Sequence, residues 1–286
     1  RFGRDLIGAV RAAVGDDWAF GIRLNADDMT PGGNSPDELM QIARAFVAAG
    51  KLDFLSVSLG TYAGEGLSLM IADYSQRPGF IAGNARPFKV AFPGLPIVTV
   101  GRINTPDLAE DIIARGDADI CAIARSIIAD PEWANKARAG KAASIRPCIA
   151  CNTCLTMNRA NEPITCSVNA ACGEERLYGA AQRRTAASSR RVVVVGGGPA
   201  GLEAARIAAE RGHKVTLYEK RTELGGQLAM TARAKNRAEL ARLVGYYDHE
   251  LKRLGVDVRL GQAVDRAALQ QLNADNVIVA TGAGIK

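Results

Sequence analysis

The sequence predicts an α/β protein with two parallel sheets, on three observations. Residues 1–145 alternate short apolar strands with amphipathic helices; a run of cysteines then breaks that rhythm; and the alternation resumes near residue 190 behind a glycine-rich turn. Strands that alternate with helices at this spacing pair in parallel, because a helical crossover returns each strand in the same direction.

The elements follow in order. Leu6, Ile7, Val10 and Val14 recur at helical spacing and predict a helix over residues 1–14 with those side chains on one face. Residues 19–25 read as a strand. Ser35 then caps a helix, with Pro36 at its first position and Glu38 completing a capping box, and Gly50 stops it. A second strand is expected over 54–59, a long irregular stretch over 60–93, and a third strand over 96–100. Thr105 and Pro106 start the next helix, which ends near Gly116. Residues 118–124 predict a fourth strand and 130–139 a helix. Four such units make half of a (β/α)₈ barrel, whose full length is about 250 residues; an open doubly wound sheet is the alternative.

Beyond residue 190 the expected elements are strands at 191–195, 214–218, 256–260 and 276–280. A helix over 199–211 and a long amphipathic helix over 237–254 lie among them. The organisation predicted is therefore a half-barrel over 1–145, a cysteine-rich segment over 146–180, a linker over 181–189 and an incomplete dinucleotide-binding domain over 190–286. The chain opens inside a helix and closes just after a strand, which reads as an internal fragment.

Composition narrows the class. With 286 residues, 48% hydrophobic and 23% charged, the chain can bury a sizeable core. No apolar run reaches the roughly 20 residues of a membrane span, and the first residues are too charged for a signal peptide, so a cytoplasmic protein without membrane contact is expected. The net charge of +6 is spread along the chain apart from 182–191. That basic stretch has no interleaved aromatics and a Ser/Ala content that suits a tether, so it reads as a linker and not a nucleic-acid contact.

Six cysteines are present, four of them within Cys148–Cys166. Cys148, Cys151 and Cys154 form C-x₂-C-x₂-C, and Cys166 follows after eleven residues. Three thiolates so close together can each take one corner of a cubane, with the fourth supplied further along, so the spacing points to a [4Fe–4S] cluster. Zinc, which usually takes cysteines as separated pairs, is the alternative. Cys172 reads as a bystander, although spacing alone leaves open its exchange with Cys166. Cys121, in mid-strand, reads as a small buried hydrophobe.

Gly196, Gly198 and Gly201 fit G-x-G-x-x-G directly after a strand, with Pro199 and Ala200 opening the helix. Such a turn brings backbone and a helix N-terminus up to a pyrophosphate. Glu219 ends the following strand, where a carboxylate can bind ribose hydroxyls. Lys220 and Arg221 follow it and blur any choice against a 2′-phosphate. Gly225, Gly226 and Gln227, then Thr281 and Gly282, supply further small-residue turns. The set implies an adenine dinucleotide or a fragment of one.

In the barrel half, the third strand ends in Gly101-Arg102 and the fourth in Ala124-Arg125. If these are strands 7 and 8, both deliver a small residue and a guanidinium to the usual phosphate position. Arg23, inside the first strand, reads as a group that faces a flavin ring and stabilises negative charge at its pyrimidine end. A strand-edge ion pair is the alternative.

These three modules in series resemble the trimethylamine dehydrogenase and 2,4-dienoyl-CoA reductase family. The resemblance rests on Arg1-Phe2, Gly21-Ile22-Arg23-Leu24, Val100-Gly101-Arg102-Ile103, Ala124-Arg125 with Ala129-Asp130-Pro131, Arg146-Pro147-Cys148-Ile149-Ala150-Cys151-Asn152, Cys166, Asn169, Gly173-Glu174 and the Gly196–Gly201 loop. It implies an FMN barrel of old-yellow-enzyme type, a [4Fe–4S] segment and an FAD- or ADP-binding region. FMN would contact Arg23, Gly101, Arg102 and Arg125, and the cluster ligands would be Cys148, Cys151, Cys154 and Cys166. The short gap between Cys151 and Cys154 is amine-dehydrogenase-like, which tilts the expectation toward oxidation or demethylation of an N-methylated amine. An NAD(P)H-dependent dienoyl or enoate reductase is the alternative, and a non-catalytic electron-carrier module the rival of another class. An electron-transfer flavoprotein or NAD(P)H is the expected redox partner, and a homo-oligomer is an option. The resemblance puts the acid–base residues before Arg1; Tyr62, Asp73 and Tyr74, in the stretch expected to line the substrate pocket, are weak catalytic candidates.

Overall fold

The computed structural model describes residues 1–63, 66–182 and 184–283. Gly64 and Glu65 of the irregular stretch, Arg183 of the linker and residues 284–286 of the dinucleotide-binding domain lie outside the described residues. The chain divides into two compact units, Arg1–Ile127 with Ala150–Asn152, and Ile128–Ile149 with Thr153–Lys286. No described helix is long and apolar enough to cross a membrane.

The first unit contains α1 (Phe2–Val14), β1 (Gly21–Asn25), α2 (Pro36–Val47), β2 (Phe54–Ser58), α3 (Gly66–Met70), α4 (Arg86–Ala91), β3 (Ile97–Thr99), α5 (Pro106–Ala114) and β4 (Ile120–Cys121). All four strands run parallel in the order β1-β2-β3-β4. Consecutive neighbours in sequence order are what an arc of a (β/α) barrel requires.

Register separates the two faces of this sheet. Ile22, Leu55 and Ile97 lie side by side, as do Leu24, Val57, Thr99 and Cys121, and this face packs under the helices with Ala43, Phe88 and Ile112. The opposite face carries Arg23, Ser56, Val98 and Ile120 in one row and Asn25 beside Ser58 in the next. One face is thus oily, and the other carries polar side chains on β1 and β2 beside Val98 and Ile120, as alternation along each strand dictates.

The capping signals at Ser35 and Thr105 are realised. The Glu38 amide donates to Ser35 Oγ at 3.4 Å and the Ser35 amide to Glu38 Oε2 at 2.8 Å; the Leu108 amide donates to Thr105 Oγ1 at 3.2 Å. Four expectations need correction. Leu6 and Val14 are exposed, and the inner face of α1 carries Ile7 and the buried Arg11, whose guanidinium donates to the carbonyls of Gly15, Trp18 and Lys51 and to Asp53. Hydrogen bonds to carbonyls and a carboxylate let a long cation displace a leucine there. The stretch 60–93 is not irregular throughout: it holds α3, a 3₁₀ turn at Ala82–Ala85 and α4. The fourth strand is only two residues long. The helix expected over 130–139 is shorter, α7 (Trp133–Arg138), and an unexpected short helix, α6 (Arg125–Ala129), precedes it; Asp130-Pro131 separates the two, and the Asp130 carboxylate accepts from the Glu132 amide.

The second unit continues with α8 (Thr153–Arg159), α9 (Glu175–Tyr178), β5 (Arg191–Val195), α10 (Pro199–Glu210), β6 (Lys214–Glu219), α11 (Gly226–Ala232), α12 (Ala241–Arg253), β7 (Asp257–Leu260), α13 (Arg266–Gln271) and β8 (Asn276–Val279). Its four strands are parallel in the order β7-β6-β5-β8. Strand order reverses at β5, with β6 on one side and β8 on the other, which makes the C-terminal end of β5 a topological switch point. The long amphipathic helix begins four residues later than its period suggests, because Ala238–Leu240 is a 3₁₀ turn. Val194, Leu202, Leu217 and Leu251 form the centre of the core between the sheet, α10 and α12.

Leu55 is wholly buried on the oily face of the first sheet. Leu55→Ala is expected to cost about 2–5 kcal/mol, the range for cavities in packed cores. Denaturant titration of the purified variant checks this; a loss below about 1 kcal/mol would contradict the packing described.

Candidate functional site

In the first unit the polar groups collect at the C-terminal ends of the strands. Gly101 follows β3 with φ 109°, and a Cβ there would come within 2.8 Å of Ile81. Glycine at 101 is therefore demanded by backbone conformation and by packing on Ile81. Arg102 comes next, buried and itself left-handed at φ 51°. Past β4, Ala124 is exposed and Arg125 opens α6. Arg125 Nη1 donates to the Ala72 carbonyl at 2.6 Å and to Asn152 Oδ1 at 2.5 Å. Arg23, on the polar face, is exposed and its Nε donates to Ser56 Oγ at 3.0 Å.

Sequence reasoning passed over the neighbours of Arg23. Asn25, Ser56 and Ser58 share its face, and beyond β1 the Asp28 carboxylate accepts from Asn25 Nδ2 at 2.9 Å and from the Asn34 amide and Nδ2, both at 2.8 Å. The Asn25 bond, ahead of those from Asn34, holds the Asp28 pKa below its usual value. This fastens the loop after β1. The alternation of Leu55-Ser56-Val57-Ser58 was the signal that could have found the polar face.

Of the weak catalytic candidates, Tyr62 is 78% exposed. Asp73 and Tyr74 are half-buried, and Asp73 Oδ1 accepts from the Ser75 amide at 2.8 Å in a local turn.

In the second unit the glycine turn sits at the switch point. Gly196 has φ 111°, and a Cβ there would lie 2.3 Å from the Ala280 carbonyl oxygen. A Cβ on Gly201 would lie 1.9 Å from the Gly196 carbonyl oxygen, so glycine is what lets α10 close on β5. Gly198 faces open space and is the N-cap of α10, with Pro199 and Ala200 exposed behind it. The first amides of a twelve-residue helix therefore open to a space that backbone can approach.

Glu219 is buried at the end of β6. Its Oε2 accepts from the Gly197 amide at 2.6 Å and its Oε1 from the Arg221 amide at 2.9 Å. Lys220 and Gln227 are exposed nearby in sequence, and Gly226, at φ 54°, would bring a Cβ within 3.0 Å of Gly198 Cα. Thr281 and Gly282 are exposed past β8. The glycine turn, Glu219 and the Gly225–Gly226 turn thus meet, since the Gly225 amide also donates to the Gly197 carbonyl at 2.8 Å. The cradle fits an adenine dinucleotide or an ADP fragment.

Two legs of the cysteine segment are fastened by one buried guanidinium. Arg146 Nη1 donates to Asn169 Oδ1 at 3.1 Å and Nη2 to Glu203 Oε1 of α10 at 3.3 Å; the Arg146 amide donates to Asp130 Oδ2 at 2.8 Å. Its guanidinium stacks 5.6 Å from the Tyr246 ring centroid. Burial opposes the charge on Arg146, but the carboxylate of Glu203 and then Tyr246 outweigh it and raise its pKa. For Glu203 the order is the same: burial raises its pKa, and the bond from Arg206 with the charges of Arg146 and Arg206 lowers it further, below the usual 4.5.

No disulfide joins the six cysteines. In the second unit Cys148 and Cys166 both pack against the core beside Val168. Burial pushes the Cys172 thiol up, and the charges of Cys166, Glu175 and Cys154 add to that. Cys172 is buried and its Sγ donates to the Ile164 carbonyl at 3.6 Å, which accounts for it as a packed thiol. Cys121 is half-buried, with its Sγ on the Ala109 carbonyl. Among the described residues no three His, Cys, Asp or Glu side chains converge as a ready-made metal site. Reduced thiols at this spacing nevertheless suit iron–sulfur ligation by their chemistry. His213, on a turn, accepts from the Arg190 amide, and His249 of α12 pairs with Ser144 at 3.0 Å.

A parallel sheet with guanidinium groups beyond its strand ends, followed by a glycine-turn sheet, is the architecture of flavin-dependent oxidoreductases. The chain belongs to the NADH:flavin oxidoreductase / NADH oxidase family, whose model matches residues 1–144, and residues 190–286 match the pyridine nucleotide-disulphide oxidoreductase family. It is 39% identical over 284 residues to an NADH oxidase of Thermoanaerobacter brockii, covering 99% of this chain and 43% of that protein. It is 37% identical over 285 residues to an N,N-dimethylglycine/sarcosine dehydrogenase of Chromohalobacter salexigens, covering 99% and 41%. A solved 2-naphthoyl-CoA reductase complex superposes with a TM-score of 0.93 at 33% identity, over 99% of this chain and 42% of that one. The chain thus spans about two fifths of the relatives it matches.

Two variants test this site. Gly201→Ala is expected to push α10 off β5 and lower both the thermal midpoint and the adenine nucleotide retained on purification; retention equal to wild type would contradict the close approach. Glu203→Gln breaks a largely buried ion pair and should cost about 3 kcal/mol at neutral pH. Because the folded pKa of Glu203 is depressed, its contribution is full above 4.5 and is lost as pH falls through the folded value. Unfolding midpoints of the two proteins should therefore converge below pH 4.5; a gap that stays constant into acid would contradict the assignment.

Proposed function

We propose that this chain is the central part of a flavin- and iron–sulfur-dependent oxidoreductase acting on an N-methylated amine. FMN is held by Arg23, Gly101, Arg102, Ala124 and Arg125. A [4Fe–4S] cluster is ligated by Cys148, Cys151, Cys154 and Cys166. FAD, or ADP alone, lies on Gly196, Gly198, Pro199, Ala200, Gly201, Glu219, Lys220, Gly226, Gln227, Thr281 and Gly282. The domain limits are those given above: 1–145, 146–180, 181–189 and 190–286. When bound, FMN supplies two-electron chemistry on the substrate and the cluster passes electrons one at a time toward an acceptor.

The observation that carries the reading is the serial order: a flavin-barrel match, a C-x₂-C-x₂-C run, and a glycine turn whose amide is held by Glu219. The chain's own groups fit the parts assigned to them. Arg125 keeps Nε and Nη2 for a phosphate while Nη1 is spent on protein acceptors. The open end of α10 offers amides to a pyrophosphate. The methylamine preference is supported by the cysteine spacing and by the similarity to the dimethylglycine/sarcosine dehydrogenase. The similarity to the naphthoyl-CoA reductase favours a second reading, an NAD(P)H-driven reductase of unsaturated acyl thioesters or enoates. The partner is an electron-transfer flavoprotein in the first case and NAD(P)H in the second, in a soluble cytoplasmic enzyme that can self-associate.

Anaerobically purified enzyme is expected to contain FMN, iron and labile sulfide, and to reduce a dye with N-methylated amines. NAD(P)H oxidation dependent on an unsaturated thioester, with no amine-dependent dye reduction, would favour the second reading. Absence of flavin would leave only an electron carrier.

A further inference from the structure

Asn152 stands between Cys151 and Cys154 in the left-handed conformation, φ 58°. Among non-glycine residues asparagine tolerates that conformation best. Both ends of its amide are committed within the first unit. Its Oδ1 accepts from Arg125 Nη1 at 2.5 Å, and its Nδ2 donates to the Ile71 carbonyl at 2.9 Å. Arg125 Nη1 also donates to the next carbonyl along, Ala72, at 2.6 Å. One asparagine and one arginine thus grip two consecutive carbonyls just ahead of Asp73 and Tyr74. The segment that bears Cys151, the arginine beyond β4 and the turn at Ile71–Tyr74 share one hydrogen-bonded ring.

A guanidinium that reaches a phosphate must have its remaining N–H groups directed elsewhere, or its fork rotates. Asn152 supplies that direction, because an amide oxygen and a backbone carbonyl together fix Nη1 and leave Nη2 and Nε on the other side. On the reading given under Proposed function, we propose that Asn152 is a positioning residue for the flavin site: it sets the orientation of Arg125 toward the FMN phosphate and pins the Ile71–Tyr74 turn, which ties the Ala150–Asn152 segment to the flavin-binding end of the sheet. Asn152 touches neither FMN nor substrate; it acts through Arg125.

Two substitutions separate its bonds. Asn152→Gly keeps the left-handed backbone and removes the amide. Asn152→Asp keeps an acceptor for Arg125 and loses the donor to Ile71. FMN dissociation constants of the holoenzyme, read from the flavin fluorescence regained on release, should rise roughly tenfold in Asn152→Gly and less than about threefold in Asn152→Asp. Limited proteolysis at the Ile71–Tyr74 turn should increase in both. Arg125→Ala weakens FMN binding on its own, and adding Asn152→Gly to it should cause no further loss, since the asparagine then has nothing to orient. Additive losses in the double variant, or an Asn152→Gly enzyme that holds FMN as tightly as wild type, overturn the proposal. Wild-type enzyme without FMN or iron overturns the underlying functional reading as well; FMN- and iron-loaded wild type with indifferent variants overturns this inference alone.

Discussion

A single buried guanidinium, Arg146, sets the form of the second unit. It lies where an irregular, cysteine-bearing segment must be held against a regular α/β sheet, and apolar packing alone would leave that segment free to slide. Its bonds to Asn169 and Glu203 are directional, and the rows of hydrophobic side chains beside them are not. Removing Glu203 leaves the Arg146 charge in a low-dielectric site without its carboxylate, so the network is specific in a way that surface ion pairs are not. Arg206 on α10 and the two tyrosines of α12 complete the shell, so the helix whose start forms the dinucleotide cradle is also the helix that anchors the cysteine legs.

The two units use one device twice. In each, parallel strands end together, and the polar groups that matter are set just beyond those ends. Parallel pairing brings the C-terminal ends of the strands to one side, and with them the small residues and arginines that follow. Glycine serves different purposes at the two sites. Gly101 is held by packing on Ile81, Gly201 by the close approach of a helix to a strand, and Gly198 opens to empty space.

Much of this was legible in the sequence. The capping box at Ser35, the N-cap at Thr105, the proline at helix starts and the glycine turn are short-range signals, and the local backbone obeys them. What was not legible was set by tertiary context. Ile81, Ala85, Phe88 and Phe92 do recur at helical spacing, but glycines, prolines and a 3₁₀ turn surround them, and the stretch read as irregular. Arg11 on the inner face of α1 was invisible to any pattern that expects leucine inside, because two of its acceptors, the Lys51 carbonyl and the Asp53 carboxylate, lie 40 and 42 residues away. The same holds for Asn152, whose partners are 27 and 81 residues distant. The sulfur ligand set rests on spacing and chemistry.

Among the described residues Arg102 is one of seven non-glycine residues with positive φ, and it is also buried. An L-amino acid in that conformation gives up roughly 1–2 kcal/mol relative to glycine. A chain tuned for thermal endurance alone would therefore carry glycine at 102, next to Gly101, and forgo the guanidinium. Under the proposed reading durability and ligand affinity pull in opposite directions at this position. A stabilising substitution found there would be expected to reach a more robust but emptier protein.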